Sequence, residues 1–249
     1  MNPIEQFEHE REQRIAGLAQ DAGFIERSRA WVEESMRKQY VYNFSWMGRP
    51  IIQNPVDMVA MQELIWAVQP DLIIETGIAH GGSLIFMASM LELVALSNQT
   101  QPGKVLGIDI DIRTHNKDAI LKHPMARNIT MFEGSSVDAA MIARVREFAK
   151  GAGKVMVCLD SNHTYDHVKQ ELEAYADLVT PGSYCVVFDT FVDDVPKDVF
   201  PDRPWGPGNN PKTAVREYVG QHSEFVIDDS IHSKLLLSSA PHGFLKRVA

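Results

Sequence analysis

The sequence predicts an α/β fold, a doubly wound and mainly parallel sheet preceded by an N-terminal helical extension. Two observations carry this. From Asp71 onward, short apolar runs alternate strictly with segments of helical period, as βαβ units do. The runs are apolar throughout, as strands covered on both faces are. A chain of 249 residues, 45% of them hydrophobic, is long enough to close one such sheet around one large core.

In order along the chain, Pro3 to about Tyr40 is charged and helix-like, with a break near Asp21-Ala22-Gly23. Tyr40 to Pro55 is aromatic-rich, with turn residues and little helical period. Residues 1–54 are assigned to an extension that includes a segment covering the active site, and residues 55–249 to the main domain. Asp57 to Val68 reads as an amphipathic helix with Val59, Leu64 and Val68 on one side. Then follow "DLIIETG", "KVLGIDI", "NITMFEG", "KVMVCLD" and "GSYCVVFD" as strands. Between them Ser83–Leu96, Asn116–Lys122, Val137–Ala149 and Thr164–Val179 read as helices. Thr190 to about Asn209 is a long loop, Lys212–Val219 a helix, and "FVID", "KLLLSSAP" and "GFLKRV" closing strands. The last two are expected to pair antiparallel, turning at "APHG".

Composition excludes several classes. A net charge of −9 and the lack of a Lys/Arg cluster argue against a nucleic-acid surface. Cys158 and Cys185 each sit inside an apolar run, so buried free thiols are expected, with neither a disulfide framework nor metal spacing. A reducing, cytoplasmic location fits that usage. The N-terminal "MNPIEQFEHEREQR" lacks an apolar signal core, and no apolar run reaches membrane-spanning length.

The segment "IIETGIAHGGS" places an acid and three glycines at the carboxyl end of the first parallel strand. Ligands of open α/β sheets bind there, beside the switch point. Gly77 permits a sharp turn, Gly81 and Gly82 let a ligand approach the backbone, and Ser83 is placed to cap the next helix. No lysine follows the glycines, so this is not a P-loop, and the G-x-x-x-G-G spacing is not the dinucleotide fingerprint. Glu75 would repel a pyrophosphate and suits a cationic or hydroxyl-bearing ligand. Asp109, ending the second strand, is placed to take both ribose hydroxyls, and "EGSS", with Ser135 and Ser136, to border an adenine. Together these fit S-adenosylmethionine, a phosphate-free nucleoside with a sulfonium charge. The alternative is that the glycines only start a helix and Asp109 only solvates a loop.

At the far edge, "CLDSNH" supplies Asp160 and His163, and "VVFDT" supplies Asp189. On neighbouring strands the two aspartates would stand side by side, so one takes a proton or a hard cation such as Mg²⁺ sits between them. Such a cation could hold a substrate hydroxyl, and His163 could take its proton. Alternatively, Asp160 and His163 only begin a helix. Tyr42, Phe44, Trp46 and Arg49 on one flank, and Arg203, Trp205, Asn209, Asn210 and Lys212 on the other, suit a polyhydroxylated ligand. The remaining histidines, His167 among them, read as surface or loop residues.

"NFSWMGRPIIQ", "DLIIETGIAHGGSLIF", "GIDIDIRTHN", "LDSNHTYDHV", "PGSYCVVFDT" and "WGPGNNPKTAV" resemble the cephalosporin hydroxylase-like family. That family is similar to the Mg²⁺-dependent sugar O-methyltransferases of macrolide biosynthesis. The resemblance spans about Tyr40 to Arg247. It implies a seven-stranded, Rossmann-like class I methyltransferase fold, S-adenosylmethionine as cofactor and a homo-oligomer. By position, Glu75, Gly77, Gly81, Gly82, Ser83 and Asp109 match the cofactor site, Asp160 and Asp189 the metal carboxylates, and His163 the general base. One position departs: a metal-binding Glu of the macrolide-type pattern is Phe188 here, with Asp193 or Asp194 the nearest acids to replace it.

The expected activity is S-adenosylmethionine-dependent methylation of a hydroxyl on a sugar or glycosylated small molecule, with Asp160 and His163 in the catalytic role and Asp160 also expected at the cofactor. Two other readings stay open: a metal-dependent hydrolase or lyase using Asp160, Asp189 and His163, and a non-catalytic nucleoside-binding subunit.

Overall fold

The computed structural model describes residues 2–249. The extension forms α1 (Pro3–Gln20) and α2 (Ala22–Arg37). Asn2 accepts from the Ile4 and Glu5 amides while Glu5 reaches back to its N–H, a capping box that starts α1. Asp21 ends α1 and its side chain caps α2, which accounts for the break.

Tyr40 to Pro55 differs from the expected irregular segment. It holds a hairpin, β1 (Phe44–Trp46) and β2 (Arg49–Ile51), paired antiparallel. Met47 and Gly48 turn it with φ of 45° and 84°, the positive pair that two-residue hairpins favour. Then come α3 (Pro55–Val68), β3 (Leu72–Thr76), α4 (Gly82–Asn98), β4 (Lys104–Asp109), α5 (Thr114–Leu121), β5 (Ile129–Glu133) and α6 (Ala139–Ala149). The chain closes with β6 (Val155–Leu159), α7 (Tyr165–Tyr175), β7 (Tyr184–Val187), α8 (Pro211–Gln221), β8 (Phe225–Ile227), α9 (Asp229–Leu235) and β9 (Phe244–Arg247).

The main sheet has seven strands in the order β5-β4-β3-β6-β7-β9-β8, and β9 runs antiparallel to both its neighbours. Alternate side chains feed two apolar layers, as the strand pleat requires. Ile73, Val105, Met156, Cys158 and Val186 pack under α3 and α4, whereas Ile74, Leu106, Val157, Cys185 and Val187 pack under α6, α7 and α8. Both cysteines are buried free thiols. No described helix is long and apolar enough to cross a membrane.

Two readings are corrected. Val59 is 55% exposed; the buried side of α3 is Ala60, Met61, Leu64, Ile65 and Val68. "KLLLSSAP" is not a strand: Lys234 and Leu235 end α9, and Leu236–Ala240 is irregular. β9 already has β7 and β8 on its two edges, so no edge is left for it. The buried Asp57 carboxylate also accepts from the Ser239 N–H and Oγ at 2.8 and 2.6 Å, tying the segment to α3.

After β3 the chain steps outward to β4 and β5, then returns to β6 on the other side of β3. The crevice at the carboxyl ends of β3 and β6 is therefore the switch point. Gly77, at φ 91°, lies in it; a Cβ there would stand 2.0 Å from the Asp160 carbonyl oxygen. Gly77→Ala is expected to destabilise the fold by at least ~3 kcal/mol, from strained φ plus a backbone clash. Urea unfolding checks this; a loss below ~1 kcal/mol would show that the crossing is not tight.

Candidate active site

Two cavities adjoin over this crevice. The first, about 320 Å³, is lined by Gly77, Asp109, Ser135, Ser136, Asp160, Ser161, His167 and Trp205, among others. The second, about 460 Å³, is lined by Met36, Arg37, Gln39, Tyr42, His163, Asp189 and Arg203, and shares Ser161 and Trp205 with the first.

Of the residues expected at the cofactor, Gly77, Asp109, Ser135, Ser136 and Asp160 line the first cavity, and Glu75, Gly81, Gly82 and Ser83 do not. Asp109 Oδ2 accepts from the amides of Ile78 and Ala79 at 2.8 and 3.2 Å, so it also pins the glycine turn. Ser83 does not cap α4, whose N-cap is Gly81; its Oγ donates to Glu75 Oε2 at 2.8 Å. Gly81 and Gly82 make room for the chain itself. A Cβ on Gly82 would meet Pro50 O at 2.2 Å, and one on Gly81 would meet Ile120 at 2.3 Å.

Asp160, His163 and Asp189 gather at the seam between the cavities, each offering a ligand atom within 4.8 Å of the others. Asp189 reaches the seam from a residue at φ 55°, and its Oδ2 lies 2.9 Å from His163 Nε2. Burial, then the neighbouring Asp189, push the Asp160 carboxyl well above the carboxylate range. Burial pulls His163 down, but Asp189 and then Asp160 outweigh it and lift it to about 8. Two crowded carboxylates, Asp160 and Asp189, fit a hard divalent cation, with the His163 imidazole beside them. Phe188 cannot join them, being 3% exposed in the layer under α3 and α4. Asp193 and Asp194 do not replace it. Asp193 is held by the Gly208 N–H, Asn210 and Arg216, and Asp194 by Lys212.

Of the flanking residues, Tyr42, Arg203 and Trp205 line the second cavity. The Trp205 and His163 rings meet edge to face, with 4.8 Å between their centroids. Lys197 Nζ holds the carbonyls of Arg203 and Trp205 at 2.9 and 2.6 Å. The others serve structure. Phe44 packs on the apolar layer, Trp46 donates to Ser89 Oγ, and Arg49 holds the His80 carbonyl and Asn116. Asn209 joins the Pro204 carbonyl to the Tyr165 N–H, Asn210 caps α8, and Lys212 is buried against Asp194. Sequence reasoning missed Met36, Arg37 and Gln39 at the end of α2, and Ser161, Asn162 and His167 in the first cavity. Arg37 is ion-paired with Asp198 at 3.1 Å, which ties the extension to the loop bearing Trp205, and nothing local in the sequence signals this.

A doubly wound sheet with strand-end acids around a glycine turn at its switch point defines a Rossmann-like class I methyltransferase fold. The chain belongs to the family described as Rhamnosyl O-methyltransferase/CmcI, which matches residues 38–248. It is 31% identical over 226 residues to the rhamnosyl O-methyltransferase of Mycobacterium tuberculosis strain H37Rv, covering 87% of this chain and 85% of that protein. It is 30% identical over 232 residues to the Mycobacterium leprae rhamnosyl O-methyltransferase, covering 91% and 95%. In fold it resembles a CmcI structure carrying Mg and SAM (TM-score 0.57, 19% identity, 84% of this chain and 78% of that one). It also resembles the O-methyltransferase TomG from Streptomyces achromogenes (TM-score 0.54, 14% identity, 89% and 90%).

Burial pushes the Glu75 carboxyl from 4.5 up to about 8, with Ser83 opposing and Asp109 adding to the shift. The unfolded chain releases this proton near the lower value and the folded chain near the upper. The contribution is therefore full below about 4.5 and is lost as pH rises to about 8. The loss is on the order of 4–5 kcal/mol. Glu75→Gln should show a markedly smaller fall in unfolding free energy between pH 5 and 8 than the wild type; an equal fall would place the effect elsewhere.

Proposed function

We propose that this protein is an S-adenosylmethionine-dependent O-methyltransferase acting on a hydroxyl of a sugar or glycosylated small molecule, aided by a divalent cation. One observation carries the reading: the cavity over the glycine turn adjoins, at Ser161 and Trp205, a polar cavity, with Asp160, His163 and Asp189 gathered where they meet. Relatives named rhamnosyl O-methyltransferase, at 30–31% identity, support the sugar acceptor.

On this reading Asp109 would hold the ribose hydroxyls of S-adenosylmethionine and the second cavity would hold the acceptor hydroxyl. When bound, the cofactor would supply a methyl on a sulfonium; the hydroxyl oxygen would take the methyl, the bonding pair would stay with sulfur, and S-adenosylhomocysteine would be the product. Most of the rate comes from holding the two reactants in line. His163, in its neutral form, takes the hydroxyl proton, its ring held by Asp189 and Trp205. Asp160 and Asp189 are the residues that would hold the cation, which supplies acidity to a hydroxyl bound to it. Residues 1–54 cover the acceptor side, through Met36, Arg37, Gln39 and Tyr42.

Asp109→Ala should weaken S-adenosylmethionine binding by roughly tenfold or more, the effect of losing charge-assisted hydrogen bonds. Calorimetry measures it, and unchanged affinity would move the ribose elsewhere. Tight binding of NAD with none of S-adenosylmethionine would overturn the whole reading.

Asp189 lines only the acceptor cavity, so Asp189→Asn and chelation should both abolish transfer while leaving S-adenosylmethionine affinity nearly intact. His163→Ala should slow transfer by about 10²–10⁴-fold without changing metal affinity. Assays with acceptor present, with and without excess EDTA, check this pair; full activity in EDTA would remove the cation from the mechanism.

The chain is also expected to form a homo-oligomer through surfaces that include the extension. No residue of α1 is buried, and Ile4, Phe7, Phe24 and Trp31 are exposed. Light scattering at micromolar concentration checks this, and a monomer would count against it.

A further inference from the structure

The turn that walls the first cavity does not hold its shape alone. Ala79 takes φ 46°, a left-handed conformation that a side chain disfavours and that persists only where the surroundings impose it. The peptide groups on both sides of it are held. The Ile78 and Ala79 N–H groups donate to Asp109 Oδ2 at 2.8 and 3.2 Å. The Ala79 carbonyl accepts from Asn116 Nδ2 at 2.9 Å, and Asn116, on α5, is 3% exposed. The next carbonyl, of His80, accepts from Arg49 Nη2 at 2.6 Å and Nε at 3.0 Å. Arg49 Nη2 also donates to Asn116 Oδ1 at 2.9 Å.

The bond from Arg49 to Asn116 decides which way that amide faces. A flipped amide would set its oxygen against the Ala79 carbonyl. With Arg49 donating to Oδ1, the amide nitrogen is left for Ala79. Arg49 thus holds two successive carbonyls of the turn, one directly and one through Asn116. A planar fork with fixed N–H directions fits this task, and a single ammonium does not. Arg49 comes from outside the main sheet. It opens β2, whose hairpin is docked on α4 by Pro50 against Gly82 and by Trp46 Nε1 donating to Ser89 Oγ at 2.9 Å. Arg49 lines neither cavity.

Asp109 depends on the same turn. Its Oδ2 is fixed by the two turn amides, and its Oδ1 accepts from the Asp111 N–H at 3.0 Å. With the turn's carbonyls released, Ala79 relaxes toward negative φ, its N–H leaves Oδ2, and the carboxylate loses its aim. Resting on the cofactor reading above, the geometry points to Arg49 as a positioning residue for S-adenosylmethionine: from the hairpin it fixes the turn that aims Asp109 at the ribose, without touching the ligand. Cofactor affinity is therefore set in part by a hairpin that precedes the sheet.

The test is calorimetry with S-adenosylhomocysteine on the full chain, run as a double-mutant cycle with Asp109→Ala. Arg49→Met keeps an apolar stem and removes the donors. It should weaken binding by about tenfold or more, the effect of losing charge-assisted hydrogen bonds. On the Asp109→Ala background the same change should weaken binding less than about threefold, because the carboxylate it aims is already gone. Arg49→Lys, able to reach the His80 carbonyl with one donor group, should fall between the wild type and Arg49→Met. Asn116→Asp keeps an oxygen for Arg49 but turns another toward the Ala79 carbonyl. It should also weaken binding, and it serves if Arg49→Met does not fold. Melting transitions close to the wild type's would show that the losses are not unfolding. An equal loss on both backgrounds gives Arg49 a general structural role and overturns the inference, while the cofactor reading stands. So does an affinity within about twofold of the wild type's in both Arg49→Met and Asn116→Asp. No binding of S-adenosylhomocysteine by the wild type overturns the inference together with the reading beneath it.

Discussion

Gly77 and Asp160 touch backbone to backbone, and the rest of the site depends on that contact. The Gly77 N–H donates to the Ile108 carbonyl at 2.8 Å, and the Asp160 N–H to the Thr76 carbonyl at 2.9 Å. The ladder of β4, β3 and β6 therefore continues past the strands into the loops that carry the chemistry. A side chain at position 77 would separate these loops. Its absence lets the glycine turn and the Asp160 loop share one wall, with Asp109 holding the turn from the other side. Ligand-binding loops are usually the mobile part of an α/β fold. Here they are an extension of its most buried strands.

That economy gathers acids. Glu75, Asp109, Asp160, Asp189 and Glu171 all lie at or just behind one edge of the sheet. Nearby cations are committed elsewhere: Arg49 to a carbonyl and Asn116, Lys197 to two carbonyls, and Lys212 to Asp194. Burial and mutual repulsion raise Glu75 and Asp160. The crevice thus keeps its acids in check by holding protons on Glu75 and Asp160 and by pairing Asp189 with His163, and it favours ligands whose positive charge could replace those protons. On the proposed reading, a sulfonium in one cavity and a hard cation at the seam would each meet that demand, in different places.

How much of this was legible in the sequence follows from how local each signal is. The five parallel strands and their helices were readable, because an apolar run between glycines and acids has few other uses. The acids ending strands were readable for the same reason, and they led to Asp109, Asp160 and Asp189. The hairpin at Phe44–Ile51 had a signal in Gly48, but the strands are three residues each, too short for a period. "KLLLSSAP" failed because its apolar residues suit a helix end as well as a strand, and only the filled edges of β9 exclude the strand. Gly81 and Gly82 were legible as needing close approach, but not as to what approaches; hairpin and α5 residues do. His167 and Glu171 were invisible as a pair with Ser136, since 35 residues separate Glu171 from it along the chain. Only the fold supplies that contact.

Phe188 shows how the sheet limits what the site can contain. Val186 and Phe188 alternate onto the layer under α3 and α4, and the Phe188 N–H still pairs with the Leu159 carbonyl at 3.0 Å. A carboxylate there would have to leave an apolar layer to reach the seam, whereas the phenyl ring fills it. Asp189 escapes the same fate because it takes φ 55° itself and ends the pleat. The seam therefore has two acids and an imidazole in place of three acids. On the proposed reading, two carboxylates are few for a cation that prefers six or more oxygens. The missing ligands must come from water or from the acceptor's own hydroxyls. On that reading an acceptor rich in hydroxyls would complete the metal site as it binds, and with Phe188 at that position the site would be assembled together with the substrate.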